Sequence, residues 1–469
     1  MSMRVAVIGA GVTGLVAGYR LAQEGHQVEV FERWPGLGGQ GATLDVGGGV
    51  LLERYYHHWF TSDRHIADLY DELGMGDEIE WRESSVAMFA RGRQWPFTSP
   101  LDLLRFRALP LRARIRMGLA VLRVQRKETE VGPFENRTAR DWVHEAMGQE
   151  AWDGVWGPLL RGKFGDRADD ISAAWLWGKL SLRRQVKGKE ARQEMLGYPR
   201  HSYEALYERL QDEIESRGGR VRIDEPAQRL SRSEPGGYWL WTAQPDSFRK
   251  GHDPREFEPR SVEPEHFDAV LATVPSDIFL QLLEDQLALS LGGDYLERLR
   301  ATEYQHALCL LLELDRGFSP FYWTNIAEAG MPFIGLFEQT NLVGEDRYGG
   351  RRFLYVANYL GAGDPLLALD PDALIEAYTE GLRRVNPDFS ADWIVDRWLF
   401  REPAAQPVVT VGYHERIPAL HTGAPGLVLA NTTQIYPEDR GTNYSVRLGD
   451  DAARALIASA DQVTASAAP

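Results

Sequence analysis

Residues 4–14, Arg4-Val5-Ala6-Val7-Ile8-Gly9-Ala10-Gly11-Val12-Thr13-Gly14, pass from a short apolar run into three spaced glycines and then into a helical stretch through Leu15, Ala17, Leu21 and Ala22. The run is of buried-strand type. Gly9 permits a tight turn, Gly11 lets the backbone approach a pyrophosphate, and Gly14 lets the helix pack closely on the strand. Thr13 stands in the first helical turn, where amides and the positive dipole end face an anion. A second strand, Gln27–Phe31, ends at Glu32, twenty-three residues beyond Gly9, where a carboxylate accepts ribose hydroxyls. Strand, turn, helix and acid agree on a dinucleotide-binding unit and predict an α/β fold built on a Rossmann-type sheet.

Gly36-Leu37-Gly38-Gly39-Gln40-Gly41 follows, with its glycine pair six and seven residues after Glu32. This spacing resembles the acidic, five-residue, Gly-Gly-Arg signature of flavoproteins in the amine oxidase, protoporphyrinogen oxidase and phytoene desaturase superfamily. The resemblance implies FAD rather than NAD, bound noncovalently in a glutathione-reductase-like domain that is interleaved with an α+β substrate domain. It also places Gly38, Gly39 and Gln40 against the cofactor. The arginines those families carry four and eight residues after the acid are Gly36 and Gln40 here. Neutralising the pyrophosphate then falls to backbone amides and the helix dipole, with Arg33 as the nearest substitute cation.

At 469 residues the chain exceeds one hydrophobic core and predicts two or three domains. A net charge of −16 argues against nucleic acid as a partner and leaves a small-molecule substrate. No apolar run reaches the length of a membrane span, and Arg4 leads straight into the first strand without a signal peptide, so a cytoplasmic location is expected. Cys309 is the only cysteine, which excludes an internal disulfide, and it lies in an apolar run as a buried thiol. No metal-binding pattern is present. Charge is unevenly spread: residues 101–127 hold eight basic side chains against Asp102 alone, alternating with leucines and broken at Pro110. Two readings fit this segment. It is a basic amphipathic element for peripheral contact with an anionic membrane or for flanking the opening used by a lipidic substrate, or it is a pair of solvated helices packed on the body of the protein.

Five stretches organise the chain. Residues 1–80 form the first part of the FAD-binding domain, and 81–197 form a helical cap. Residues 198–285 return to the FAD domain through helix 203–217 and strand 220–223; the polar stretch 231–265 within them is a loose insertion. Residues 286–404 form the substrate-domain sheet, with strands at 306–314, 332–337 and 352–359 and a helix at 371–385. Residues 405–469 close the FAD domain with a strand at 426–430 and a last helix beginning near Ser445.

The superfamily resemblance places the N-terminus of that last helix against the flavin pyrimidine. The amides of Ser445 and Val446, with the helix dipole, would then stabilise negative charge on the reduced ring, and Asn443 and Tyr444 would also touch the cofactor. Asn431 and Thr433 stand where relatives bind the ribityl chain. The run Glu53 to Ser62 places His57 and His58 near the ring; it resembles the Tyr-Gly-x-His-Ile-Phe-His-Thr run of UDP-galactopyranose mutases, with Tyr55 and His58 on the matched Tyr and His. His58 and Tyr436 are the catalytic candidates. His57, Arg161, Lys163, Tyr322 and Tyr359 are candidates for substrate contact. Arg161, Lys163, Arg167, Lys179, Arg183 and Arg184 form a grip for a nucleotide diphosphate if the mutase likeness holds; their plainer reading is a solvated basic helix. No lysine lies beyond residue 250, so the active-site lysine of many amine oxidases has no counterpart on a late strand. The expected activity is hydride transfer from a C–H bond of a small, lipidic or partly anionic metabolite to flavin N5, with a redox-neutral nucleotide-sugar mutase as the alternative.

Overall fold

The computed structural model describes residues 2–181, 194–234, 236–243 and 263–466, with side chains to 459. Strand Arg4–Ile8 lies between Gln27–Phe31 and Ala269–Ala272, all parallel, with Val5 opposite Val28 on one side and Ala269 on the other. Arg220–Arg222 and Leu427–Leu429 complete a five-stranded parallel sheet in the order 220–222, 27–31, 4–8, 269–272, 427–429. Val5, Val7, Val28, Val30, Ala269 and Leu271 are fully buried, because helices on one face and a small antiparallel sheet with helices on the other cover these strands. Helix Val12–Gln23 rises from the first strand and packs against helices Glu204–Ser216 and Thr442–Ser466. Gly14 makes this possible, since a Cβ there would stand 1.9 Å from the Gly9 carbonyl oxygen. The α/β class and the Rossmann-type sheet are those expected.

A second sheet has seven strands in the order 394–407, 304–314, 352–360, 335–338, 323–326, 86–90, 93–96. Its pairs are antiparallel except 323–326 with 86–90. Strand Tyr304–Leu314 has no polar face: Leu308, Leu310 and Leu312 pack with helix Pro371–Val385, whereas Cys309 and Leu311 join the core shared with the nucleotide-binding sheet. Two parts of this sheet depart from expectation. Strands Val86–Ala90 and Arg93–Pro96 lie in the stretch expected to be helical; Val86–Ala90 is buried on both faces and shows no alternation to distinguish it from a core helix. Ile394–Pro407 forms the edge strand, and Pro403 falls beside the register irregularity at Gln305/Ala307, where a proline costs no ladder bond.

Residues 100–181 build a helical layer with its own core around Phe106, Met117, Trp142, Trp152 and Phe164. Its first helices are Pro100–Arg105 and Leu111–Arg126, separated as Pro110 predicts. The polar insertion expected at 231–265 begins with strands Ala227–Arg232 and Tyr238–Thr242, and residues 244–262 lie outside the described residues.

Candidate active site

The glycine loops make a cradle of backbone. Gly38 N donates to Ala10 O at 2.9 Å, and a Cβ on Gly39 would come within 3.2 Å of Gly11 Cα. Gly38 has φ +98° and faces the Tyr207 ring, where a Cβ would stand 2.3 Å from Cε2, so no other residue fits. Glu32 is buried; one carboxylate oxygen accepts from Ala10 N at 2.8 Å and the other from Trp34 N at 3.0 Å. Burial pushes its pKa up. Each oxygen keeps a lone pair for a ribose hydroxyl. Arg33 stands 5.6 Å from the Trp34 ring, beside this acid. The pieces fit a dinucleotide.

Beyond the cradle a cavity of about 390 Å³ runs between the last helix, the seven-stranded sheet and the helical layer. Gln40 and Thr442 to Tyr444 line its end nearest the glycine loops, and Gln40 Nε2 is tied to Ala404 O at 3.0 Å. The helix begins with Ser445 N donating to Gly441 O at 3.0 Å, and Val446 is buried. The amides without an intrahelical acceptor therefore belong one turn earlier than Ser445 and Val446, to Thr442, Asn443 and Tyr444. Asn443 and Thr442 also brace the neighbouring chain: Asn443 Oδ1 accepts from Ile66 N at 3.1 Å and Thr442 Oγ1 from Trp59 Nε1 at 2.7 Å. Thr13 Oγ1 donates to Ser445 O at 3.2 Å and locks the first helix to the last.

The cavity walls are aromatic. Tyr56 stacks on Phe337 at 3.4 Å between centroids, and Trp323 stacks on the same ring at 5.3 Å. His58 Nδ1 is 2.9 Å from the Tyr322 hydroxyl, and its ring is boxed by Phe60 and Trp323. Tyr322 is thus a support for His58 rather than a wall of the cavity. His57 is bound through Nδ1 to Tyr55 O at 2.6 Å; burial, with Arg440 adding to it, pushes its pKa down to about 4, so the ring is neutral at pH 7.

A polar cluster occupies one side. Asp439 takes Lys163 at 3.0 Å, Lys179, and the Trp175 indole at 3.3 Å. Arg440 donates to the Tyr359 hydroxyl, while its buried Nε meets no hydrogen-bond partner among the described residues. Burial works to raise the Asp439 pKa, and Lys163, Lys179 and Arg440 overcome it, holding the carboxyl well below the usual range. Burial in turn lowers Lys163, with Asp439 offsetting it only in part. With Glu402 and Asp63 also on the wall, three cations and three carboxylates line the cavity, and two of the cations are tied to Asp439. The expected Lys163 and Tyr359 meet here; Asp439 and Arg440 were not foreseen, although a charged pair directly before a helix N-terminus is a signal that could have marked them.

Five candidates stand elsewhere. Arg161 is on the exposed side of helix Gly157–Phe164, two residues and about half a turn from Lys163. Tyr436 packs on Tyr413, with its hydroxyl 3.5 Å from Glu135 Oε1, inside the helical layer and off the cavity. Asn431 spends both amide protons on Val274 O and Ser276 Oγ and its carbonyl on the amide and hydroxyl of Thr433, so this buried pair fastens the ends of two strands and has no side-chain donor left for a ribityl chain. Arg167 pairs with Asp170 and Glu303 on the surface, and Arg183 and Arg184 lie outside the described residues. Among the described residues no cluster of side chains suits a metal.

The family pattern for flavin containing amine oxidoreductase matches residues 12–457. The chain belongs to that family. Its cofactor is FAD, in keeping with the glycine cradle and Glu32. The chain is 23% identical over 302 residues to a 15-cis-phytoene desaturase of Solanum lycopersicum, covering 60% of this chain and 48% of the desaturase. It is 26% identical over 172 residues to a mitochondrial protoporphyrinogen oxidase of Nicotiana tabacum, covering 36% and 34%. The chain thus spans about half or less of the length of these curated relatives. A crystal structure of reduced UDP-galactopyranose mutase superposes with a TM-score of 0.70 at 15% identity, over 97% of this chain and 96% of that one, a likeness of fold.

Proposed function

We propose that this chain is an FAD-dependent oxidoreductase that takes a hydride from a C–H bond of an apolar metabolite bearing an anionic group. One observation supports this reading above the others: a single cavity joins the mouth of the last helix, aromatic walls, and a buried cluster of three cations, Lys163, Lys179 and Arg440. Bound FAD, noncovalently held, supplies the hydride acceptor. The chain's own residues do the rest. Phe337, Trp323 and Tyr56 hold the apolar body and exclude water. Arg440 and Lys163 take the anionic group and so set which C–H bond faces the cofactor. His58, its tilt fixed by Tyr322, and neutral His57 are the bases within reach of a proton released beside the ring.

The purified protein should be yellow, and anaerobic mixing with an anionic amphiphile should bleach its flavin absorbance. Replacing His58 with Ala should leave the absorbance intact and slow the bleaching at least tenfold; an unaltered rate removes His58 from the reaction. A colourless protein that FAD cannot reconstitute defeats the whole reading. The cation cluster also favours a second reading, a redox-neutral mutase acting on a nucleotide sugar. Turnover that appears only after dithionite reduction and consumes no electrons would select it.

A further inference from the structure

Helix Leu111–Arg126 has two apolar faces, and among the described residues only one is covered. Ala113, Met117, Ala120 and Val124 are buried against the helical layer. Leu111, Ile115, Leu119 and Leu122 are between 43% and 61% exposed. At about 100° per residue these two stripes lie on opposite sides of the helix. Leu101 and Leu104 of helix Pro100–Arg105, which packs beside it, are exposed as well. Six of the eleven large hydrophobic side chains exposed among the described residues therefore fall within 101–122. Scattered surface leucines need no explanation, but a ridge does.

The ridge is bordered by positive charge. Arg112, Arg116 and Arg123 follow one flank of the stripe and Arg114 the other, with Arg105, Arg107, Arg126 and Lys127 exposed at the ends. Glu150 and Glu128 pair with Arg112 and Arg123, and Arg114 and Arg116 are tied to the carbonyls of Leu104 and Glu145. Arg105, Arg107, Arg126 and Lys127 make no ion pair among the described residues. The surplus stands out on a chain whose net charge is −16. A second copy of the chain docking symmetrically here would bring this positive border against itself. An anionic bilayer matches both features: acyl chains receive the leucines and headgroups receive the guanidinium groups.

We propose that the 100–126 face is a lipid-binding surface that seats the protein on an anionic membrane. No helix of the described residues is long and apolar enough to cross a membrane, so the contact is peripheral. The surface lies one layer from the cavity. Gln125 Nε2 donates to Leu180 O at 3.3 Å, and Leu180 lines the cavity; Phe106 packs edge-on against Phe97, which lines it too. An apolar substrate held in the bilayer would thus meet the protein beside the chamber that takes it. The docking itself rests on the fold and not on the flavin chemistry.

The test is flotation of the full-length, FAD-loaded protein with vesicles of phosphatidylcholine containing 30% phosphatidylglycerol, at low and high salt. Recovery with the vesicles at low salt should fall at least fivefold in 0.5 M salt and at least fivefold on pure phosphatidylcholine. The double variant Ile115→Glu, Leu119→Glu should lose recovery at least tenfold while keeping its flavin absorbance and Tm, because both side chains are exposed. A second variant, Arg105→Glu with Arg107→Glu, should lose recovery without touching the ridge. Wild-type protein that stays unbound at low salt overturns the proposal, and so does equal recovery of the variants. A dimer in light scattering that the Glu pair dissolves, without flotation of the wild type, overturns it in favour of self-association. Turnover enters none of these readouts, so failure here leaves the oxidoreductase reading standing.

Discussion

The five-stranded parallel sheet and the cavity against the seven-stranded sheet offer different parts of the chain to a ligand. At the first, backbone is the instrument: Gly9, Gly14, Gly38 and Gly39 matter for what they lack, and on the proposed reading the amides around them face the pyrophosphate of FAD. At the second, side chains from residues 56, 163, 179, 323, 337, 359 and 440 converge, and each contributes a ring or a charge. A backbone site tolerates no added atom, whereas a side-chain site tolerates exchange and changes its preference. The two regions should therefore fail differently under substitution.

Gly14→Val is the severest way to probe that difference. Its Cβ would fall 1.9 Å from the Gly9 carbonyl oxygen, and backbone cannot swing aside as a side chain can. We expect destabilisation on the order of 3 kcal/mol or more and loss of FAD from the purified protein. Thermal unfolding and the absorbance of bound flavin check it. Retention of both would mean that the helix start can move off the strand, and the contrast between the regions would fail.

Arg440→Met tests the other side. The side chain keeps its length and loses its charge, so the flavin should stay bound while kcat/KM for an anionic substrate falls by about 100-fold, or about 2.7 kcal/mol, chiefly through KM. Arg440→Lys should recover part of the loss, because a point charge replaces part of what a planar fork provides. An equal loss for neutral and anionic substrates would move Arg440 from substrate recognition to the cofactor.

What could be read in advance divides along the same line. The nucleotide-binding unit is local: turn, helix and acid lie within residues 4–32, and each glycine acts through its own conformation, so spacing alone predicted the fold class. The cavity is non-local. Lys163 and Tyr359 were legible as isolated candidates, but nothing in the spacing joins Lys163 to Asp439 or His58 to Tyr322, because those contacts arise only when two sheets and a helical layer close on one another. Strand Val86–Ala90 escaped for a related reason: burial on both faces erases the alternation that marks a strand. Asn431 and Thr433 show the opposite case. They are polar residues in the expected place, but the fold itself consumes their side-chain donors.

Glu53 sharpens the comparison where the two regions meet. It is buried, receives the Tyr198 hydroxyl and Tyr203 N, and burial pushes its pKa up to about 7 from the ordinary 4.5. The folded state then holds this proton more tightly than the unfolded state. Its contribution to stability is complete below the unfolded pKa and is lost as pH rises through about 7, at no more than about 1.4 kcal/mol per pH unit. Glu53→Gln cannot titrate. Between pH 5 and pH 8 the wild type should lose about 2 kcal/mol more stability than the variant in urea unfolding of the FAD-loaded protein. Parallel pH profiles would show that Glu53 is not protonated in the folded state.

The smallest effect is expected at Tyr436, and it marks where the side-chain region ends. Its hydroxyl is 3.5 Å from Glu135 Oε1, too long for a strong hydrogen bond, and the ring packs on Tyr413 within the helical layer. Tyr436→Phe keeps the ring and removes only that hydroxyl, so stability should change by no more than about 0.5 kcal/mol. Flavin content and the rate of flavin reduction should not change at all, because no atom of Tyr436 borders the cavity. A tenfold slower reduction with unchanged Tm would mean that the loop carrying Asp439 and Arg440 transmits the position of Tyr436 to the reacting atoms. The side-chain region would then include part of the helical layer, and Tyr436 would act as a positioning residue through its neighbours three and four places along the chain.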